Sequence, residues 1–392
     1  MHLFLRGNNH TESFLYRGLF FAAISDMHYF PLIISSAIAI ALFSCTSTRQ
    51  RVVHEGGFTL RYDTVSLDAE SFCPEFSRCE LSEGVKLGGD YYLLFSVHSK
   101  EPGSKLESPR LFKLDSSSLS FSQLPFPPFP ESGLGDIISR GDTLFFKSLY
   151  FENKGYYFDF SSEKWVSMEK FSNIVYENDQ VKVAQLYHGE WGDDAWFIEK
   201  STGNQYYFPD NLGRIVPFKG VWYFSRGKQL FGLSDYHSGF LCDSATTYES
   251  VSRKREHWHY FVERYAISKG VTAFSRPSLI HTLHEDNPDP YYDFSGNTSV
   301  FFETSFVSGD NLFHFVTDTL SSKIVRVGKD TVYTLVDLRK RYTMQENHFR
   351  EIRFNPPEGE SLVLYRDDEK NSGVVDISGR DLRFIHFRDA PE

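Results

Sequence analysis

One phrase recurs along this chain, and its recurrence limits the fold more than any other feature. A turn pair precedes an aromatic-rich run in Gly89-Asp90-Tyr91-Tyr92-Leu93-Leu94-Phe95, Gly141-Asp142-Thr143-Leu144-Phe145-Phe146 and Gly309-Asp310-Asn311-Leu312-Phe313. Looser copies begin at Asn178, Gly220, Gly270 and Gly359, so six steps separate 89 from 359 and the period is 45. A second phrase follows the first: a strand, a polar turn, another strand. Tyr157-Phe158-Asp159-Phe160-Ser161-Ser162-Glu163-Lys164-Trp165-Val166 is the clearest copy; others start at Phe112, Phe197, Tyr292 and Val375. Asp, Ser and Gly between β-rich runs mark hairpins, because they accept positive φ or hydrogen-bond their own backbone.

Each period therefore holds about four short strands, and no long amphipathic helix interrupts them. Four strands per repeat of this length predict an all-β chain folded as a β-propeller of about seven four-stranded blades, with six or eight tolerable. One blade cannot bury both its faces, whereas a closed ring covers them all. The aromatic share, 17% with 38 Phe and 22 Tyr, suits such half-buried pleated surfaces. A two-sheet sandwich is the rival that strand spacing also fits. Phe58-Thr59-Leu60-Arg61-Tyr62 is the candidate to close the ring by pairing with the last blade, which would remove two open edges. Tyr157-Phe158-Asp159 with Trp165 resembles the hairpin of Kelch-type blades, and Gly88-Gly89 echoes their double glycine. The resemblance is to propeller repeats in general and covers about residues 58–388.

The N-terminus reads as an address. Tyr29 to Phe43 is a run of fifteen residues without charge, short for a membrane span and of the size of a signal-peptide apolar region. Leu42-Phe43-Ser44-Cys45, directly after it, resembles the bacterial lipobox. That resemblance implies cleavage before Cys45, a diacylglycerol on its thiol and acylation of the new amine. It also implies a Gram-negative cell envelope, with outer-membrane sorting from Thr46 and anchoring to the membrane through the lipid. Two or more acyl chains anchor stably where one is marginal. The expected layout is a leader and signal over 1–44, a lipidated Cys and polar tether over 45–57, and a single propeller domain over 58–392. Met27 would give a compact start, although Arg6 and Arg17 lie in the longer leader. Of the remaining cysteines, Cys73 and Cys79 bracket a short loop and are either a disulfide or two free thiols in an oxidising compartment. Cys242 reads as a small core residue.

Chemistry is less legible. The net charge of −11 excludes a dominant basic footprint, so no nucleic-acid partner is expected. No phosphate loop, nucleophile elbow or His-Glu-x-x-His helix occurs, and no cofactor is implied. His188-Gly189-Glu190-Trp191-Gly192-Asp193-Asp194 mixes indole and carboxylates, a composition that suits sugars; an inter-strand loop with one core Trp reads equally well. Arg253-Lys254-Arg255 beside His257, Trp258 and His259 could touch an anionic ligand or be a solvated loop. His281, His284 and Asp286 are weak metal candidates lacking a third firm ligand. Tyr236-His237-Ser238 and Ser275-Arg276 offer hydroxyls beside bases or cations, but no triad. The leading expectation is a tethered, non-catalytic propeller binding a glycan, peptide or protein. The alternative is a carbohydrate-active enzyme, a glycoside hydrolase or lyase, on the same ring.

Overall fold

The computed structural model describes residues 51–67, 77–99, 106–128, 135–148, 155–168, 171–187, 193–210, 212, 215–226, 228–252, 261–283, 301–318, 320–328, 331–344, 360–367 and 371–389. They belong to one unit, Thr48–Glu392. Cys45, Cys73 and the side chain of Cys79 lie outside the described residues, as do Tyr292–Val300.

The chain begins with an N-terminal hairpin, β1 (Arg51–Glu55) and β2 (Phe58–Leu67), and then builds blades in sequence. Blade 1 is β3 (Ser77–Leu87), β4 (Asp90–Ser99), β5 (Leu106–Leu114) and β6 (Phe121–Leu124). Blade 2 is β7 (Gly135–Arg140), β8 (Thr143–Ser148), β9 (Gly155–Asp159) and β10 (Lys164–Met168). Blade 3 is β11 (Ile174–Glu177), β12 (Val181–Tyr187), β13 (Asp193–Glu199) and β14 (Gln205–Phe208). Blade 4 takes β15 (Ile215–Phe218), β16 (Val221–Arg226) and β17 (Gln229–Leu233). A two-residue strand, β18 (Phe240–Leu241), then joins the outer edge of blade 3, and β19 (Ser278–Thr282) completes blade 4. Blade 5 is β20 (Phe301–Ser308), β21 (Asn311–Thr317), β22 (Ser322–Val327) and β23 (Val332–Asp337). Blade 6 is β24 (Tyr342–Met344), β25 (Glu360–Asp367), β26 (Ser372–Ser378) and β27 (Asp381–Asp389), extended outward by β2 and β1.

Both recurring phrases have a physical basis. The first is the turn between the first two strands of a blade. Gly88 and Gly89 carry φ of +61° and +90° and join Leu87 to Asp90 in a two-residue hairpin, a geometry that glycine adopts without strain. The second is the turn between the outer two strands. There the Asp159 carboxylate accepts from the Ser161 amide at 3.0 Å and from the Ser161 and Ser162 hydroxyls, both at 2.7 Å. Asp115 does the same with Ser117 and Ser118, and these donors hold its carboxyl well below the usual range.

The blades close into a ring because every blade face meets a neighbour. Leu87, Tyr92, Leu111, Ile137, Phe146 and Phe158 join blades 1 and 2. Phe171 wedges between blades 2 and 3, 6.0 Å from the Phe145 ring. Val183, Phe197, Phe208, Ile215 and Phe224 join blades 3 and 4. Leu230, Phe302 and Val316 join blades 4 and 5, while Phe58, Phe306, Phe315, Tyr365 and Phe384 join 5 and 6. Val65, Leu81, Phe95, Phe112, Ile385 and Phe387 close blade 6 on blade 1.

The ring therefore has six blades, not about seven. The copy at Gly270 is not a blade: Gly270, φ +91°, follows helix α2 (Phe261–Ser268), and its amide donates to the Ile267 carbonyl at 3.0 Å. It belongs to an insertion between β17 and β19, residues 234–277, whose 44 residues match the period of 45 and so mimic an extra repeat when a uniform period is counted. Among the described residues the insertion holds a 3-10 turn (Tyr236–Ser238), β18, α1 (Tyr248–Val251) and α2. It straps across the face of blade 3 that turns away from blade 4. Trp196 is fully buried there, and its indole N–H donates to the Thr246 carbonyl at 3.0 Å. Gln205 clasps the strap at both ends of its amide, accepting from the Tyr248 amide and donating to Glu249, both at 2.7 Å.

The seam is made by β2, which runs parallel to β27 from Thr59↔Asp381 to Leu67↔Asp389. The pairing includes Leu60↔Leu382 and Tyr62↔Phe384, as expected from the apolar pattern at 58–62. Polar clamps reinforce it. Arg383 donates to Asp63 at 2.6 Å and to the Ser116 carbonyl of blade 1 at 2.5 Å; Tyr91 of blade 1 donates to Asp376 of blade 6 at 2.6 Å. Asp63 is 2% exposed, so removing it strands a half-buried guanidinium. Asp63→Ala should cost on the order of 3 kcal/mol, read as a lower urea midpoint. An unchanged midpoint would show that the clamp does not hold the seam.

Candidate functional site

Strand direction sorts the loops. In each blade the first and third strands run from one end of the ring to the other, and the second and fourth return. The connections between second and third strands, and those from one blade to the next, therefore gather at a single end. The other end carries the tight glycine and Asp-Ser turns. Loops carry binding residues more often than the scaffold that presents them, which makes the first end the candidate site.

Buried polar groups concentrate at that end. Asp136 is the second residue of β7, Asn173 directly precedes β11, and Gln185 stands near the close of β12. Glu303 is third in β20, Arg341 directly precedes β24, and Arg366 is near the end of β25. Gln185 is 1% exposed, and neither its amide oxygen nor its amide nitrogen meets a protein hydrogen-bond partner; the Asn173 side-chain oxygen is in the same position. The two residues are adjacent, since the Gln185 backbone N–H donates to the Asn173 backbone carbonyl at 3.0 Å. Buried polar atoms are nearly always paired with protein or ordered water, so such orphans call for water or a ligand polar group. Beside them in the ring, burial pushes the Asp136 carboxyl up to about 6, opposed by Lys147 directly across the hairpin. Arg366 donates to Glu80 at 3.2 Å, joining blades 6 and 1 at the same end. Three first strands are also bulged, at Ser82, Val175 and Glu303, where the register skips a residue. Bulges of this kind re-aim side chains and are common beside functional sites.

The residues singled out in the sequence are distributed differently. Glu190, Trp191, His257, Trp258, His259, His284 and Asp286, and the side chain of Asp193, lie outside the described residues. Asp194 is 5% exposed and accepts from the Tyr207 hydroxyl at 2.6 Å, beneath the strap rather than at the ring axis. Its strap-side neighbour is Glu263 of α2, whose carboxyl is pushed up by burial and by Asp194, against the pull of Arg276. His281 lies on β19 beside blade 5 and contributes with burial to pushing the fully enclosed His314 down to about 3. Neutral His314 shares a 2.8 Å hydrogen bond with Ser305. Among the described residues no group of three metal-ligating side chains is assembled. His237 sits between two carboxylates, Glu199 at 2.7 Å and Asp235 at 2.9 Å, which raise its pKa and pin the start of the strap to blade 3. Cys242 is a free thiol, pushed up to about 12 by burial and so unreactive. The sequence reading missed Asp136, Asn173 and Gln185. Their signal was a polar residue inside, or at the threshold of, an otherwise apolar strand.

No family model matches this chain, and no curated protein matches it. Several solved structures are similar in shape. A post-proline cleaving enzyme from Rickettsia typhi aligns at 11% identity and a TM-score of 0.36 over 95% of this chain and 57% of its own. This chain thus spans little more than half of that enzyme. The β-propeller domain of the Trilobed protease from Pyrococcus furiosus aligns at 8% identity and a TM-score of 0.33, covering 77% of this chain and 96% of that domain. A family 117 glycoside hydrolase from Zobellia galactanivorans aligns at 10% identity and 0.30, covering 81% and 84%. The propeller assignment stands on the strand order and interblade cores described above.

The raised pKa of Asp136 sets a pH dependence. Its folded value exceeds the ordinary value, so its contribution is fully present below about pH 4 and is lost as pH rises through about 6. Relative to Asp136→Asn, the protein should lose on the order of 3 kcal/mol between pH 4 and 7, measured by urea unfolding at each pH. Parallel pH profiles of the two proteins would contradict this.

Proposed function

We propose that this chain is an envelope lipoprotein, acylated at Cys45, whose propeller binds a hydroxyl- or amide-rich ligand at the loop-bearing end of the ring. A glycan or an extended peptide has that chemistry. The observation that carries the reading is the buried, unpartnered side-chain amide of Gln185, with the buried, unpartnered side-chain oxygen of the half-buried Asn173 beside it at that end. Leaving a buried amide unsatisfied costs about 1–3 kcal/mol, and a binding site is one setting in which that cost is offset. Asp136, Glu80 and Arg366 add charge for orientation. The fold by itself assigns no activity, so the argument rests on these groups.

A carbohydrate-active enzyme is the second reading, favoured by one observation: Glu263 and Asp194 are close enough for one carboxylate to raise the other. Paired carboxylates with separated pKa values are what glycoside hydrolysis requires. Their place beneath the strap, with Asp194 committed to Tyr207, fits a structural role better.

The test uses Cys45→Ser protein, released from the membrane, on glycan and peptide arrays. Selective retention supports binding, and silence on both arrays overturns it. Gln185→Leu then separates function from folding. Removing the orphan amide should raise stability by about 1 kcal/mol and weaken the retained ligand about tenfold or more. Hydrolysis of a retained glycan, abolished by Glu263→Gln, would establish the second reading instead.

A further inference from the structure

The tether and the outermost strands fix which side of the ring can reach a membrane. Only five residues separate Cys45 from Arg51, the first residue of β1, so six backbone steps join the two. Fully extended they reach about 20 Å. Four strands at about 4.8 Å spacing make each blade wide enough that the whole ring exceeds roughly 40 Å across. A tether this short holds the outer edge of blade 6 near its anchor and keeps blade 3, on the far side, away.

That edge has the chemistry to lie on such a surface. β1 is the last strand of its sheet, beyond β2 and β27. A strand in that place presents backbone groups that natural proteins usually cover or charge. Val52 is 47% exposed, a large share for an aliphatic side chain. Arg61 stands opposite Val52 in the hairpin, Arg51 and His54 lie on the same strand as Val52, and Arg380 and Arg388 flank the two ends of β27; all are exposed, and the acids described beside them are Glu55 and Asp381. Arg61 approaches Asp381 at 3.7 Å, and Arg51 lies 5.8 Å from the centre of the Tyr62 ring. The edge is thus net basic on a chain whose overall charge is −11. Exposed arginines close to a bilayer are drawn to the negative surface potential of anionic headgroups.

We propose that the outer edge of blade 6, formed by β1, β2 and the adjoining ends of β27, rests on a bilayer surface rich in anionic phospholipid headgroups. This rests on the acylation of Cys45 put forward above. The ring then stands on its rim, with its axis along the membrane plane and both ends open to solvent. The loop-bearing end with Asn173 and Gln185 stays accessible, neither buried in lipid nor turned away from it.

Hydrogen exchange of the full acylated protein tests this directly. It is compared in neutral detergent, in phosphatidylcholine vesicles, and in vesicles containing about a third phosphatidylglycerol. Mass of the mature N-terminal peptide first establishes the acyl chains. On anionic vesicles, amides in peptides covering 51–62 should slow about tenfold, and this protection should disappear at high salt or in the Arg51→Glu, Arg61→Glu double variant. Peptides covering 155–168 of blade 2 should not change. If the acyl chains are present and 51–62 exchange equally in all three media, or blade 2 or blade 3 slows instead, the docking face is wrong while the anchor stands. If Cys45 carries no lipid, the anchor fails and this inference falls with it.

Discussion

Each blade of this protein is apolar on both faces, and that single condition governs the rest of the structure. A sheet such as blade 1 turns Leu81, Leu93 and Phe95 to one side and Tyr92, Leu94 and Leu111 to the other, all nearly inaccessible to water. Covering both faces of every sheet requires a neighbour on each side, and only a closed ring gives the first and last blades the same cover as the others. Closure here is made by the N-terminal strand, which lays nine residues in register along β27 and contributes Phe58 and Leu60 to one core and Val65 and Leu67 to the next. One strand therefore serves two interfaces and blocks an exposed sheet edge. The ion pair of Arg383 with Asp63 acts across this join.

The same condition explains the strap. The insertion in blade 4 does not project as a loose loop, because blade 3 offers Trp196, Tyr207 and Leu186 as an apolar bed, and Tyr248, Val251 and Val262 complete it. The Tyr248 hydroxyl then reaches past blade 3, accepting from the backbone N–H of Asn173 at 2.8 Å. Asn173 is one of the orphaned side chains, so the strap meets the candidate site at that residue. Its other end is latched by His237 between Glu199 and Asp235. Protonation favours this latch at low pH, and the favour fades as pH rises through the raised pKa of His237.

Much of the fold was legible because its turns are chemically specific. Gly-Gly and Gly-Asp pairs and Asp-Ser-Ser turns mark hairpins by geometry and hydrogen bonding that other residues meet less readily, so strand pairs could be placed without knowing their partners. The closing role of 58–62 followed from its apolar alternation. Blade number was less legible, because a uniform period has no way to distinguish a blade from an insertion of similar length; Gly270 carries the glycine of the phrase but none of the following strand. The candidate site was least legible. Gln185 and the side-chain oxygen of Asn173 matter through what they fail to bond in three dimensions, and Asp136 through its burial, none of which one sequence displays. Asp194 drew attention as an acid beside tryptophans, yet the fold turns it against Tyr207.

The most direct measurement of this account is the unfolding of a mature chain begun at Asp68, lacking the N-terminal hairpin, compared with one begun at Cys45→Ser. Trp165, Trp196 and Trp222 lie in blades 2, 3 and 4, whereas the hairpin packs into the cores of blades 1, 5 and 6, so tryptophan fluorescence reports blades remote from the deletion. If ring closure sustains all six blades, the shortened chain loses its single cooperative transition or aggregates at concentrations where the longer one remains soluble. A transition of unchanged midpoint and steepness would contradict the claim that the ring depends on its N-terminal seam.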